Sequence, residues 1–128
     1  MFRAPLAIVA AAIALAAPAA AADYKPFDRA QFEAAKAAGG AVLVDVAAWW
    51  CPVCHSQEAT IKAAVADPKF AKLTIFTINY DKQKPEWQQL GVTKQATLIG
   101  FKGGRETGRV AFQTDKAQIA ALLQSTVN

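Results

Sequence analysis

Apolar and polar positions along the 128-residue chain fall into a few well-separated blocks. The first is an apolar run from Ala4 to Ala17, preceded by Arg3 and followed by small residues up to Asp23. That is the layout of a secretory signal peptide, with an Ala-x-Ala cleavage motif at Ala20 to Ala22. Residues 1–22 are therefore expected to be a leader and residues 23–128 a single exported domain. An uncleaved anchor is the other reading, because Ala4 to Ala22 supplies 19 mostly apolar residues, near the lower limit for a membrane span. Pro18 and the alanines around it favour cleavage.

Beyond a short stub at Tyr24 to Phe27, the periodicity alternates between helix and strand. Asp28 is placed to cap a helix over "RAQFEAAKAA", which Gly39-Gly40 ends. "AVLVDV" is a continuous apolar run broken only by Asp45, the pattern of a central parallel strand covered on both faces. Helical spacing resumes after Cys51 in "PVCHSQEATIKAAVA", with Pro52 in the first turn, where its missing N–H costs nothing. Asp67-Pro68 stops it. "KLTIFTINYD" predicts a further strand and "KPEWQQLG" a short helix in which Trp87 packs. "ATLIGF" and "RETGRVAF" predict a hairpin turning at Gly103-Gly104. Thr114 or Asp115 caps a last helix whose Ile119, Leu122 and Leu123 share one face. Strands joined through helices run parallel, and the hairpin adds antiparallel ones. The expected fold class is α/β, a mixed four- to five-stranded sheet with helices on both faces.

Composition narrows the function. Without the leader 106 residues remain, enough for one small core. Loss of Arg3 leaves 13 Lys and Arg against 10 Asp and Glu, and these are scattered. A nucleic-acid partner would need a basic stripe and is not expected. No segment after the leader is long and apolar enough for a membrane span, so membrane contact is expected only if the leader is retained.

The stretch "AAWWCPVCHSQEAT" holds both cysteines and the only histidine. A bridge between Cys51 and Cys54 closes too short a loop to staple the unfolded chain, so a redox pair is expected. A cysteine that opens a helix directly after a strand sits among unpaired N–H groups at the positive end of the helix dipole, which stabilises its thiolate. Cys54 lies on the same face, one turn deeper, at a separation a disulfide spans. Cys51 is thus the expected attacking thiol and Cys54 the resolving one. Asp45, in the middle of an apolar strand, is costly to bury unless partnered or protonated, and burial raises its pKa. His55 is one helical turn from Cys51; its charge either favours the thiolate or is exposed without consequence.

Cys51 to His55 also spells the C-x-x-C-H of haem attachment. The only Met is Met1, within the leader, so a second common axial ligand is missing. Two Cys and one His are too few for a zinc or iron–sulfur site within one chain. No metal or cofactor is expected. Haem or metal binding, and a non-catalytic binding module of the same fold, stand as alternatives.

"VLVDVAAWWCPVCH", "KLTIFTINYD" and "LGVTKQATLIGFKGG" resemble the successive landmarks of the thioredoxin family, over residues 27 to 125. "CHSQE" and "ADPKFAKLTIFTINYD" are most similar to the thioredoxin-like domains of periplasmic disulfide-interchange reductases. The resemblance implies a thioredoxin fold, with Asp45 in the place of a buried acid beneath the resolving thiol, suited by a raised pKa to take the proton of Cys54, and Thr77 where many members carry a Lys beside that acid. It implies a client-facing set of Trp49, Trp50, Pro52, Val53, Gln95, Ala96 and Thr97, with Trp50 shielding the dithiol and Trp49 either widening that surface or joining the core. It also exposes a departure. The family keeps a cis-proline immediately before Thr97, and this chain has Ala96. Either Gln95–Ala96 is a cis bond or the loop is trans and shaped differently, and without the ring the sulfurs are expected to be more exposed.

The expected activity is that of a periplasmic thiol:disulfide oxidoreductase, monomeric, reducing disulfide-containing client proteins or relaying electrons to them. A membrane dithiol donor would recharge it. A thiol oxidant of the same fold is the runner-up.

Overall fold

The computed structural model describes residues 2, 4, 5, 7–14 and 21–128. The leader expectation falls partly outside this set, because residues 1, 3, 6 and 15–20, and with them Ala20 of the cleavage motif, are not among the described residues. No helix among the described residues is long and apolar enough to cross a membrane.

The elements in chain order are β1 (Asp23–Pro26), α1 (Arg29–Ala37), β2 (Ala41–Ala47), α2 (Pro52–Ala64), a 3₁₀ turn (Pro68–Phe70), β3 (Thr74–Asn79), α3 (Lys84–Gln89), β4 (Thr97–Lys102), β5 (Arg105–Ala111) and α4 (Lys116–Val127). They build one sheet in the order β1-β3-β2-β4-β5. β3 runs parallel to both β1 and β2, while β4 is antiparallel to β2 and β5 antiparallel to β4. This is the thioredoxin fold. The segment read as a stub is a fifth strand, with Tyr24 opposite Ile75. It is recognisable only through its partner, since four exposed residues carry no alternation of their own. Gly103 and Gly104, at φ 57° and 84°, make the hairpin turn that β-carbon residues resist.

Alternation along β2 assigns its two faces. Val42, Val44 and Val46 join Phe76, Ile99 and Phe101 in a core closed by Phe32 of α1 and Trp87 of α3. Leu43 joins Ile75, Leu98 and Val110 in the opposite core, closed by Ile61 of α2 and by Ile119 and Leu123 of α4. Asp45, two residues from Leu43, is on the α2 side. β2 is flanked by β3 and β4, so it is central and covered on both faces, as its unbroken apolar run predicts.

The local caps explain where α1 and α4 begin. Asp28 Oδ1 accepts the Gln31 N–H at 2.9 Å and Asp115 Oδ1 the Gln118 N–H at 2.9 Å. Asp28→Ala is expected to cost about 1 kcal/mol, read as a lower urea midpoint at unchanged m-value.

Candidate active site

β2 ends at Ala47, and the turn Ala48–Trp50 delivers Cys51 as the N-cap of α2, in extended conformation at φ −95° and ψ 108°. Pro52 follows in the first turn and lacks only an N–H that would have had no helical partner. Cys51 and Cys54 form a disulfide, with their Cα atoms 5.3 Å apart. The Cys54 N–H donates to Cys51 Sγ at 3.1 Å. One of the orphan donors of the helix start is therefore aimed at this sulfur, which is the arrangement that stabilises a thiolate once the bond is reduced.

The sulfurs are covered. Cys51 is 1% and Cys54 2% exposed, packed with Ala48 and with Ala96, itself 0% exposed. This corrects the expectation that loss of the proline ring uncovers them. Gln95–Ala96 is trans, no cis bond occurring among the described residues, and Ala96 takes the left-handed φ of 61°. That turn lays the alanine itself on the disulfide. Its N–H donates to the Val46 carbonyl at 2.7 Å, and Thr97 Oγ closes the loop onto the Lys94 carbonyl at 2.8 Å.

Asp45 is 4% exposed, and its Oδ1 has no hydrogen-bond partner. Burial, and secondarily the Glu58 carboxylate on α2, raise its pKa from 3.8 to about 7. Thr77 stands opposite it in β3, so no cation from that position offsets the burial. On the same sheet face a cavity of about 480 Å³ opens between α2 and the β1 edge, lined by Tyr24, Ala47, Cys54, His55, Glu58 and Thr77 among others. The buried Cys54 thus borders a cavity that the Glu58 carboxylate also lines. Burial together with the Asp45 and Glu58 carboxylates also raises the Tyr24 pKa.

The two tryptophans before the dithiol differ. Trp50 is 44% exposed but anchored, its indole N–H donating to both Asp81 carboxylate oxygens at 3.0 and 3.2 Å and its ring meeting Tyr80 edge-on at 6.3 Å. Tyr80 in turn stacks on the buried Trp87 at 4.9 Å. Trp49 is 82% exposed and belongs to no core cluster, which settles the question of its packing. Pro52 is exposed and Val53 half-buried beside the dithiol. His55 Nε2 donates to the Trp49 carbonyl at 2.7 Å, and its Nδ1 lies 3.6 Å from Glu58. Neither contact reaches the Cys51 sulfur, and the ring nitrogen that a haem iron would use is committed to the turn.

A model of the thioredoxin family matches residues 23–125. The chain belongs to the thioredoxin family. It is 34% identical over 86 residues to a thioredoxin of Chlamydia muridarum, covering 67% of this chain and 82% of that one. A solved structure of Trxlp from Edwardsiella tarda superposes with a TM-score of 0.75 at 39% identity, over 79% of this chain and 98% of that chain. Malassezia sympodialis thioredoxin shares the fold, with a TM-score of 0.72 at 19% identity. Family membership and the Cys51–Cys54 pair make the chain a thiol:disulfide oxidoreductase.

Several residues at this family site escape a reading of the sequence. Gln57, fully buried, donates from Nε2 to the Ala96 and Gln113 carbonyls at 3.0 and 2.9 Å. The available signal was its spacing, since Cys54, Gln57 and Ile61 form the buried stripe of α2. Glu58, Asp81 and Phe112 carry no signal in their local sequence. Their roles come from which elements the sheet order brings together.

Proposed function

We propose that this chain is an exported, periplasmic reductant or electron relay, monomeric, acting on disulfide-containing client proteins. The observation that carries the redox step is the Cys54 N–H donating to Cys51 Sγ at the start of α2. In the reduced protein the Cys51 thiolate attacks a client disulfide, forming a Cys51–client bond and releasing one client thiolate. Cys54, its proton taken by Asp45, then attacks Cys51 Sγ. The intramolecular disulfide forms, the second client thiol leaves, and two electrons have passed to the client. Trp50 and Trp49, with Pro52 and Val53, offer the apolar landing surface, and Gln95 to Thr97 the backbone edge. His55 acts on Cys51 only indirectly, by holding the turn that precedes it.

Export is supported by the leader-like residues 1–22, and the reducing direction by relatives that carry the name thioredoxin. Thiol reductants are not maintained in the periplasm, so a membrane dithiol donor would regenerate the reduced form. The potential of the Cys51–Cys54 couple, equilibrated against glutathione, is expected near roughly −270 mV, and a value near roughly −120 mV reverses the direction assigned. Mass spectrometry of the protein recovered from the periplasm is expected to find Asp23 as the first residue. Chains retained in the membrane fraction with residues 1–22 attached argue for an anchor instead.

A further inference from the structure

Helix α2 carries one fully buried polar side chain whose hydrogen bonds all leave its own helix, Gln57. Among the described residues, Ala96 at φ 61° and Phe112 at φ 55° are the two non-glycine residues in the left-handed region. Both are tied to this amide. The Ala96 carbonyl accepts the Phe112 N–H at 2.8 Å and the Gln57 Nε2–H at 3.0 Å, and the second Nε2–H goes to the Gln113 carbonyl, directly after Phe112, at 2.9 Å. A β-carbon residue persists in that conformation only where its surroundings over-determine it.

The amide is not there for its own satisfaction. Gln57 Oε1 is buried without a partner, and an apolar side chain of the same size would fill the site without that desolvation cost. The consequence of the two bonds lies at the disulfide. Ala96 is pinned on Cys51 and Cys54, while the half-buried Gln95 before it has no backbone hydrogen bond at its N–H or its C=O among the described residues. Free backbone groups beside a covered disulfide are a template for an extended peptide and offer nothing to a small disulfide.

We propose that Gln57 is the positioning and specificity residue of this site, its amide fixing Ala96 in a left-handed turn over the disulfide so that a protein client pairing along Gln95 is preferred to a small disulfide. The inference rests on the reductase reading above. Without the clamp the turn no longer holds the pairing edge in line with Cys51, and the alanine no longer shields the sulfurs.

Gln57→Met keeps the length of the side chain and removes both donors. Pre-reduced protein is reacted in single turnovers with insulin and, separately, with bis(2-hydroxyethyl) disulfide, which has no peptide group. The ratio of the two rate constants, insulin over the small disulfide, is expected to fall about tenfold in the variant, and a fall of less than about threefold overturns the assignment. Partial unfolding lowers both rates together and leaves the ratio unmoved, so a purely structural role does not imitate the expected result. If Gln57→Met does not fold, the double variant Gln57→Met/Ala96→Gly is read by the same criterion against Ala96→Gly alone, since glycine takes the left-handed turn at no steric cost but is not held in it. Wild-type protein that reduces neither substrate overturns the reductase reading and this inference together. Wild-type protein that reduces both, with the variant ratio unchanged, overturns only the role of Gln57.

Discussion

Cys51→Ser is expected to lower insulin reduction by about a thousandfold or more, while Cys54→Ser arrests the reaction at a covalent intermediate. The thiolate is the nucleophile of disulfide exchange, and a serine hydroxyl at neutral pH is neither ionised nor soft enough to replace it. The two cysteines are not equivalent, because Cys51 caps α2 and its Sγ receives the Cys54 N–H. Cys54, within the first turn, has no corresponding donor. Removing Cys54 leaves the first attack intact and takes away the sulfur that resolves its product. On non-reducing gels the Cys54→Ser protein should accumulate a client adduct that dithiothreitol releases, and the Cys51→Ser protein should show none. An adduct on Cys51→Ser in place of Cys54→Ser would mean that the roles are exchanged.

That asymmetry is legible in the sequence alone, and so are several features of the fold. The junction of β2 and α2 is written twice in the local sequence, by the apolar run through Val46 and by a proline directly after Cys51. Trp87 and the caps at Asp28 and Asp115 are local as well, and the structure places them as expected. β1 is different, because a four-residue edge strand ending in Pro26 exists only through its register with β3, some fifty residues on in sequence. The exposure of Trp49 likewise depends on which elements fold over the turn. The loop before β4 was the least readable of all. "TKQAT" has no glycine or proline to announce a left-handed residue, and Ala96 is held there by Val46, Phe112 and Gln57 from three other parts of the chain. Where contacts come from neighbours in sequence the pattern announces them, and where they come from the sheet order it cannot.

Asp45 separates stability from function, and its replacement is expected to raise one while lowering the other. In the oxidised fold its pKa is raised from 3.8 to about 7, first by burial and then by Glu58. The unfolded chain therefore ionises at a pH some three units below the folded protein, and between those points the unfolded state binds fewer protons. Stability is accordingly full below about pH 4, declines as pH rises toward 7 and is level above it, a loss of about 4 kcal/mol at 1.36 kcal/mol per pH unit. In Asp45→Asn that slope should vanish, because the amide does not titrate. At pH 8 the oxidised variant should exceed wild type by about 2 kcal/mol, less than the full amount since a buried amide carries its own desolvation cost. Urea unfolding of the disulfide form from pH 4 to 8 measures this, with the cysteines removed from the titration by their bond. The kinetic expectation runs the other way. With no carboxylate to take the proton of Cys54, resolution of the client adduct at neutral pH should slow by about a hundredfold, and the wild-type decline in resolution rate below about pH 7 should be absent from the variant. A variant that is no more stable at pH 8 would mean that Asp45 finds in solution a partner for its orphan Oδ1. A variant that resolves as fast as wild type would place the proton elsewhere, with the Glu58 carboxylate, which lines a cavity together with Cys54, as the acceptor to test next.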